Sequence, residues 1–165
     1  MTETTPALLA RLRSRDPAPR RVSVSRDVDL DAATTFRILA DVRNHSRWIP
    51  LTRAVLPSAP EGPLPVGARF TMVSGPAMPD RMVVTELTEL SMTLRKAGPV
   101  LLGTAGITVQ PLGEHRSRAI WWEDAYLAGP LPARVTRAVV GPVLAAMMRL
   151  ALARFAREVA ARPPG

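Results

Sequence analysis

The stretch RSRAIWWEDAY, residues 116–126, carries more potential chemistry than any other part of this chain. Charged, aromatic and small residues alternate along it, and in a strand successive side chains point to opposite faces. One parity holds Ser117, Ala119, Trp121, Glu123 and Ala125, and the other holds Arg116, Arg118, Ile120, Trp122, Asp124 and Tyr126. Burying two arginines is the costlier arrangement. Trp121 and Glu123 are therefore expected inside, with Trp122 outside under an arginine stem. A carboxyl in an apolar pocket has its pKa raised and suits proton transfer near neutral pH. Glu123 is thus the one candidate catalytic residue. A carboxylate paired with an arginine, or exposed near the strand end, would do no chemistry, and both readings stay open. On this parity Tyr126, the only tyrosine, faces solvent.

Other chemistries are excluded or thinly supported. There are no cysteines, which removes disulfides, thiolate metal sites and cysteine nucleophiles. Two histidines leave little for a metal site, and neither a metal nor a cofactor is expected. His45, in RNHSRW, reads as a surface or helix-end residue that serves as a base only if it reaches a pocket. His115, in the turn GEHRS, reads as exposed. No glycine-rich phosphate loop and no nucleophile elbow occur.

The net charge is +8, but the cations are scattered, Lys96 is the only lysine, and no basic run interleaves with aromatics. The expectation is a solvated basic surface with no specific nucleic-acid partner. Arg and Pro interrupt the apolar windows short of ~18 residues, so no membrane span is expected. The Arg-rich LLARLRSR leaves room for transient contact with an anionic membrane. Without a secretory pattern at the start, the expected location is cytoplasmic. A monomer or a homodimer is compatible with all of this.

The elements that must position Glu123 follow from periodicity. Residues 1–20 read as a peripheral arm, 21–161 as one domain and 162–165 as a tail. Val22, Val24 and Val28 alternate with polar residues and mark a half-buried strand. Asp31 is placed to cap a helix bearing Phe36, Leu39 and Ala40, and RNHSRW makes a second short helix closed by Pro50. The period then becomes two, with strands near 52–56, 68–74, 81–88, 91–96, 104–110 and 116–126, separated by turn formers such as GPAMPD. The last block is helical. Gly141-Pro142 is expected to break or kink it, leaving a main helix of about twenty residues with Leu144, Met147, Ala151, Phe155 and Val159 on one face. Strand, two short helices, six strands and a long helix make an α+β fold, in which a curved antiparallel sheet of about seven strands wraps the last helix.

This order resembles the START-like, helix-grip superfamily of polyketide cyclase/dehydrase and lipid-transport proteins (SRPBCC). The resemblance is carried by VSRDVDLDAATTFRILADVRNHSRW, PVGARFTM and RSRAIWWEDAYLAGPL, and covers about residues 21–161. It implies a cavity between sheet and C-terminal helix that holds an apolar or amphipathic small molecule, such as a lipid, polyketide or quinone-like compound. Some members of the family catalyse cyclisation or dehydration there; many only bind or carry. On that footing the candidate ligand-binding residues are Trp48, Phe70, Met72, Met92, Trp121, Glu123, Met147, Ala151 and Phe155. Trp48 either caps the mouth or is a core residue closing the end of the sheet. The methionines, Met82 and Met148 among them, either line a hollow or fill a core. A binder or carrier is the first reading and a cyclase/dehydrase-like enzyme the alternative, because no acid/base pair stands at a recognisable spacing.

Overall fold

The computed structural model describes residues 21–161. The expectation for the N-terminal arm lies outside them. The chain forms β1 (Val22–Val28), α1 (Ala32–Ala40), a short 3-10 turn (Val42–Asn44) and α2 (His45–Trp48). It continues with β2 (Thr52–Val55), β3 (Arg69–Ser74), β4 (Met78–Leu87), β5 (Ser91–Pro99), β6 (Leu101–Gly113), β7 (Arg116–Leu127) and α3 (Ala133–Ala160). All strand pairs are antiparallel, in the order β1-β7-β6-β5-β4-β3-β2. The sheet curls into a half-barrel around α3, the helix-grip α+β arrangement.

Local chemistry accounts for the first helix. The Asp31 carboxylate accepts from the Thr34 amide at 2.8 Å, satisfying one of the donors left free at a helix start. Thr35, Phe36, Leu39 and Ala40 are buried, the spacing of one helical face. Ser117 on β7 donates to the Thr35 hydroxyl at 2.9 Å, with both residues fully buried, so α1 is fastened to the sheet through a satisfied polar pair.

The last helix departs from expectation. It is continuous over 28 residues and carries Pro142 in its interior. Pro142 removes one backbone donor, that owed to the Ala138 carbonyl, while packing along the rest of α3 holds the helix together. Leu144, Met148, Ala151, Leu152, Phe155 and Val159 are all buried. Gly141 lies so close to β1 that a Cβ there would come within 3.2 Å of the Val22 side chain. Thr136 anchors the first turns by accepting from the Leu127 amide at 3.3 Å. By length and composition alone α3 is long and apolar enough to cross a membrane, a test that a core helix packed inside a domain also passes. Its inner face is packed on β1 and β7, whereas Val135, Val139 and Val143 leave an apolar strip on its outer face.

Because Pro142 sits nine residues inside a helix that starts at Ala133, it lacks the N-terminal position where its missing donor costs nothing. Pro142→Ala is expected to raise stability by roughly 1–3 kcal/mol, read from denaturant midpoints. Unchanged or lower stability would mean that the ring makes a contact the helix needs.

Candidate functional site

The half-barrel and α3 do not fill the space between them. α3 packs principally on β1 and β7, while α1 packs on β6 and β7. Between the far strands and the middle of α3 lies a pocket of about 380 Å³. Phe70, Met72, Met82 and Leu94 line it from β3, β4 and β5; Ala105, Ile107 and Trp121 from β6 and β7; Val143, Leu144, Met147 and Leu150 from α3. Val143, Leu150 and Met78 line the pocket and are also 67%, 38% and 47% exposed, so they mark its opening.

Strand parity placed the two key residues. Trp121 and Glu123 face inward and line the pocket. Trp122 points outward and its ring lies over Gly106, where a Cβ would come within 2.5 Å of the indole. The Arg21 guanidinium stacks on that ring at 5.1 Å. The charges on this face are paired outside, Arg118 with Asp27 at 2.7 Å and Asp124 with Arg137 of α3 at 2.5 Å. Arg137 also stacks on Tyr126.

Of the other expected ligand-binding residues, Phe70, Met72 and Met147 line the pocket. Trp48, Met92, Ala151 and Phe155 do not, because they pack in the solid part of the core, each no more than 1% exposed. Trp48 is the core tryptophan of the two readings left open. Its ring meets Phe155 edge-on at 5.0 Å, its indole N–H donates to Glu158 at 2.9 Å, and its carbonyl accepts from Arg154. That triple attachment joins α2 to the end of α3 and leaves the ring no role at a mouth. Met148 is likewise core, whereas Met82 faces the pocket.

His45 stands at the end of α2, as a helix-end residue would, but it is not on the surface. It is 4% exposed and lines the pocket, with its ring 5.0 Å from Trp121. Its Nε2 lies 2.9 Å from the Leu39 carbonyl, which only accepts, so Nε2 carries the proton. Burial pushes its pKa below the ordinary value, against smaller upward pulls from that carbonyl and Asp41, and holds the ring neutral. The turn that presents it is clamped. Buried Asp41 accepts from the Arg43 and Gly62 amides, and Arg43 donates to the Ala59 carbonyl at 2.8 Å. His115, by contrast, is exposed as expected.

The residues that sequence reasoning missed are Lys96 and Asp80. Lys96 lies on the inner face of β5, 5% exposed, with its ammonium 2.5 Å from Asp80 and 3.2 Å from Glu123. All three side chains line the pocket. Lys96 is the one polar neighbour of Glu123 Oε2, and Asp80 Oδ1, the oxygen turned away from the ammonium, has no hydrogen-bond partner among the described residues. Burial alone would lower the Lys96 pKa, but the two carboxylates outweigh it and raise it, keeping the ammonium charged. For Glu123 burial dominates and Asp80 adds to it, so its pKa is raised in spite of Lys96. The arrangement is one cation between two acids, and burial holds one of them, Glu123, above the ordinary carboxyl range. A signal for Lys96 was available: the only lysine shares strand parity with Met92 and Leu94. Asp80 was hidden because β4 begins at Met78, inside a segment rich in turn formers. Among the described residues no cluster of His, Cys, Asp and Glu could hold a metal ion.

A search of curated proteins finds no significant match. Solved structures share the fold at low identity. A START superfamily protein from Mycobacterium smegmatis is 15% identical, with a TM-score of 0.66 over 84% of this chain and 98% of that one. A protein from Thermobifida fusca, solved by solution NMR, is 20% identical, with a TM-score of 0.63 over 85% and 93%. The di-domain ARO/CYC BexL from the BE-7585A biosynthetic pathway is 16% identical, with a TM-score of 0.64 over 84% of this chain and 46% of that one. The family described as polyketide cyclase/dehydrase and lipid transport matches residues 19–160 in sequence. That span contains every element from β1 to α3, and with the helix-grip architecture it means that the chain belongs to the polyketide cyclase/dehydrase and lipid transport family.

Proposed function

We propose that this protein binds or carries an apolar or amphipathic small molecule, of lipid, polyketide or quinone-like kind, in the pocket between the sheet and α3. The observation that carries the reading is the pocket itself, about 380 Å³ with walls made mainly of Met, Leu, Val and aromatic side chains. Its volume falls within the ~300–1,000 Å³ of small-molecule sites. Removing ~200 Å² of ligand apolar surface from water is worth roughly 5 kcal/mol before ordering costs, so useful affinity needs no catalytic group. Exposed apolar residues at the opening would let such a molecule enter without crossing a polar barrier.

A second reading, acid–base chemistry on the bound molecule, is favoured by one observation. Glu123 lines the pocket, keeps its proton above the ordinary carboxyl range, and lies beside an ammonium that can stabilise a developing negative charge. This is the equipment of a cyclisation or dehydration step, and the family and the ARO/CYC neighbour are consistent with it.

The binding reading is checked with N-phenyl-1-naphthylamine, a neutral apolar fluorescent reporter. Saturable one-to-one binding is expected. Ala105→Leu, which extends a 3%-exposed pocket residue into the hollow, is expected to weaken it by about tenfold or more with an unchanged circular dichroism spectrum. Equal binding by both proteins would place the reporter elsewhere.

The protonation of Glu123 is tested through stability. The folded chain holds this proton more tightly than the unfolded chain, so folding takes a proton up. That contribution is full below the ordinary value of 4.5 and is lost as pH rises through the folded value. Glu123→Gln, permanently neutral and of the same shape, is therefore expected to gain stability relative to wild type as pH rises from 4 towards 8. Denaturant unfolding across that range measures it, and a constant difference between the two proteins would refute the protonated state.

A further inference from the structure

The apolar walls explain why a hydrophobic molecule would stay in the pocket, but they leave unexplained its one polar region. A buried ion pair is difficult to account for as stabilisation, because desolvation consumes most of the Coulombic gain. This cluster is also incompletely satisfied. Lys96 offers three donors and donates one to Asp80 at 2.5 Å. Asp80 Oδ1 is buried without a hydrogen-bond partner, and Glu123 Oε2 has only the ammonium, 3.2 Å away, so hydrogen-bonding capacity is left open at a cost in free energy unless something completes it. Glu123 is 4% exposed and projects from β7 into the same pocket that Asp80 and Lys96 line from β4 and β5.

The missing partner is defined by what the cluster already has. It contains two acids that share one base, so a ligand carboxylate would bring a further negative group beside them and is repelled. A hydrocarbon leaves the oxygens as they are. A ketone accepts from Lys96 but supplies no donor. A hydroxyl does both, accepting from the ammonium and donating to a carboxyl oxygen. We propose that Asp80, Lys96 and Glu123 form a recognition site for a ligand hydroxyl, so that the pocket selects neutral alcohols or phenols over hydrocarbons, ketones and carboxylic acids of the same shape. The other polar groups around the pocket are already engaged in part. The His45 Nε2 proton is committed to the Leu39 carbonyl, and Thr52 and Ser74 lie 3.3 Å from each other across β2 and β3.

This inference rests on the small-molecule reading above and specifies the polar end of the molecule. The test is a set of four probes of one shape, phenanthrene, 9-phenanthrol, 9-acetylphenanthrene and phenanthrene-9-carboxylate, titrated by fluorescence at pH 7. The hydroxyl probe is expected to bind about tenfold tighter than the hydrocarbon and the ketone, consistent with one buried hydrogen-bonding group gaining partners. The carboxylate is expected to bind more weakly than the hydrocarbon. The double variant Asp80→Asn/Glu123→Gln removes both acids and leaves Lys96 without a counter-charge, and there the carboxylate should lose its disadvantage against the hydrocarbon. If phenanthrene binds and 9-phenanthrol is no better, the hydroxyl site is wrong while the pocket stands. Tightest binding of the carboxylate or the ketone by the wild-type protein has the same meaning. If none of the four binds, both the site and the pocket's function fall. The wild-type series decides the matter even if the double variant does not fold.

Discussion

A straight helix cannot fill a curled sheet evenly, and everything particular to this protein follows from that mismatch. α3 lies against β1 and β7 at one side of the half-barrel, where Gly141 permits close approach to Val22. The strands that curl away, β3 to β5, present Phe70, Met72, Met82 and Leu94 to a space that the helix does not occupy. The core is accordingly of two kinds. Towards β1, β7 and α2 it is solid, with Trp48, Met148 and Phe155 fully enclosed. Towards β3–β5 it is hollow. Interior packing is normally dense, so a space of this size marks where the fold gives up contact energy.

The hollow also sets the electrostatics. In water, a lysine beside two carboxylates would be an ordinary exposed pair of little consequence. Here the same three groups are shielded, and the pKa values of Glu123 and Lys96 are both raised, for different reasons. Burial raises that of Glu123 because it disfavours the charged form, whereas the carboxylates beside Lys96 raise its pKa against burial. His45 is treated in the opposite way, held neutral by burial with its tautomer set by the Leu39 carbonyl. On the proposal above, a wall that sets two acids around one cation favours neutral polar ends over charged molecules.

Much of the scaffold is legible from one-dimensional patterns. The alternation in RSRAIWWEDAY is enough to send Trp121 and Glu123 inward and Trp122 outward, because placing Arg116 and Arg118 inside would strand two guanidinium groups. Asp31 announces its cap, and the boundaries of β2, β3 and β7 lie within a residue or so of their periodicity. Less legible is anything that depends on how far apart two inward-facing residues finish. Trp48 and Met72 are both buried apolar side chains, but only Met72 meets open space. His45 looked like a helix-end residue because four-residue α2 gives no amphipathic signal, and only the packing of Trp121 beside it shows that it is enclosed.

What the sequence by itself determined is the order of elements, the inward parity of Glu123 and the family, since these rest on local periodicity and on residue types. What only the tertiary structure decided is the polar site. Asp80, Lys96 and Glu123 sit on three strands, and their meeting depends on strand register, on an irregularity between Asp80 and Met82, and on the curl that draws the strands together over the pocket. Parity is a property of each strand alone, whereas the distance between charges is a property of the closed sheet. The low dielectric that makes those charges matter arises only once α3 has shut the space over them.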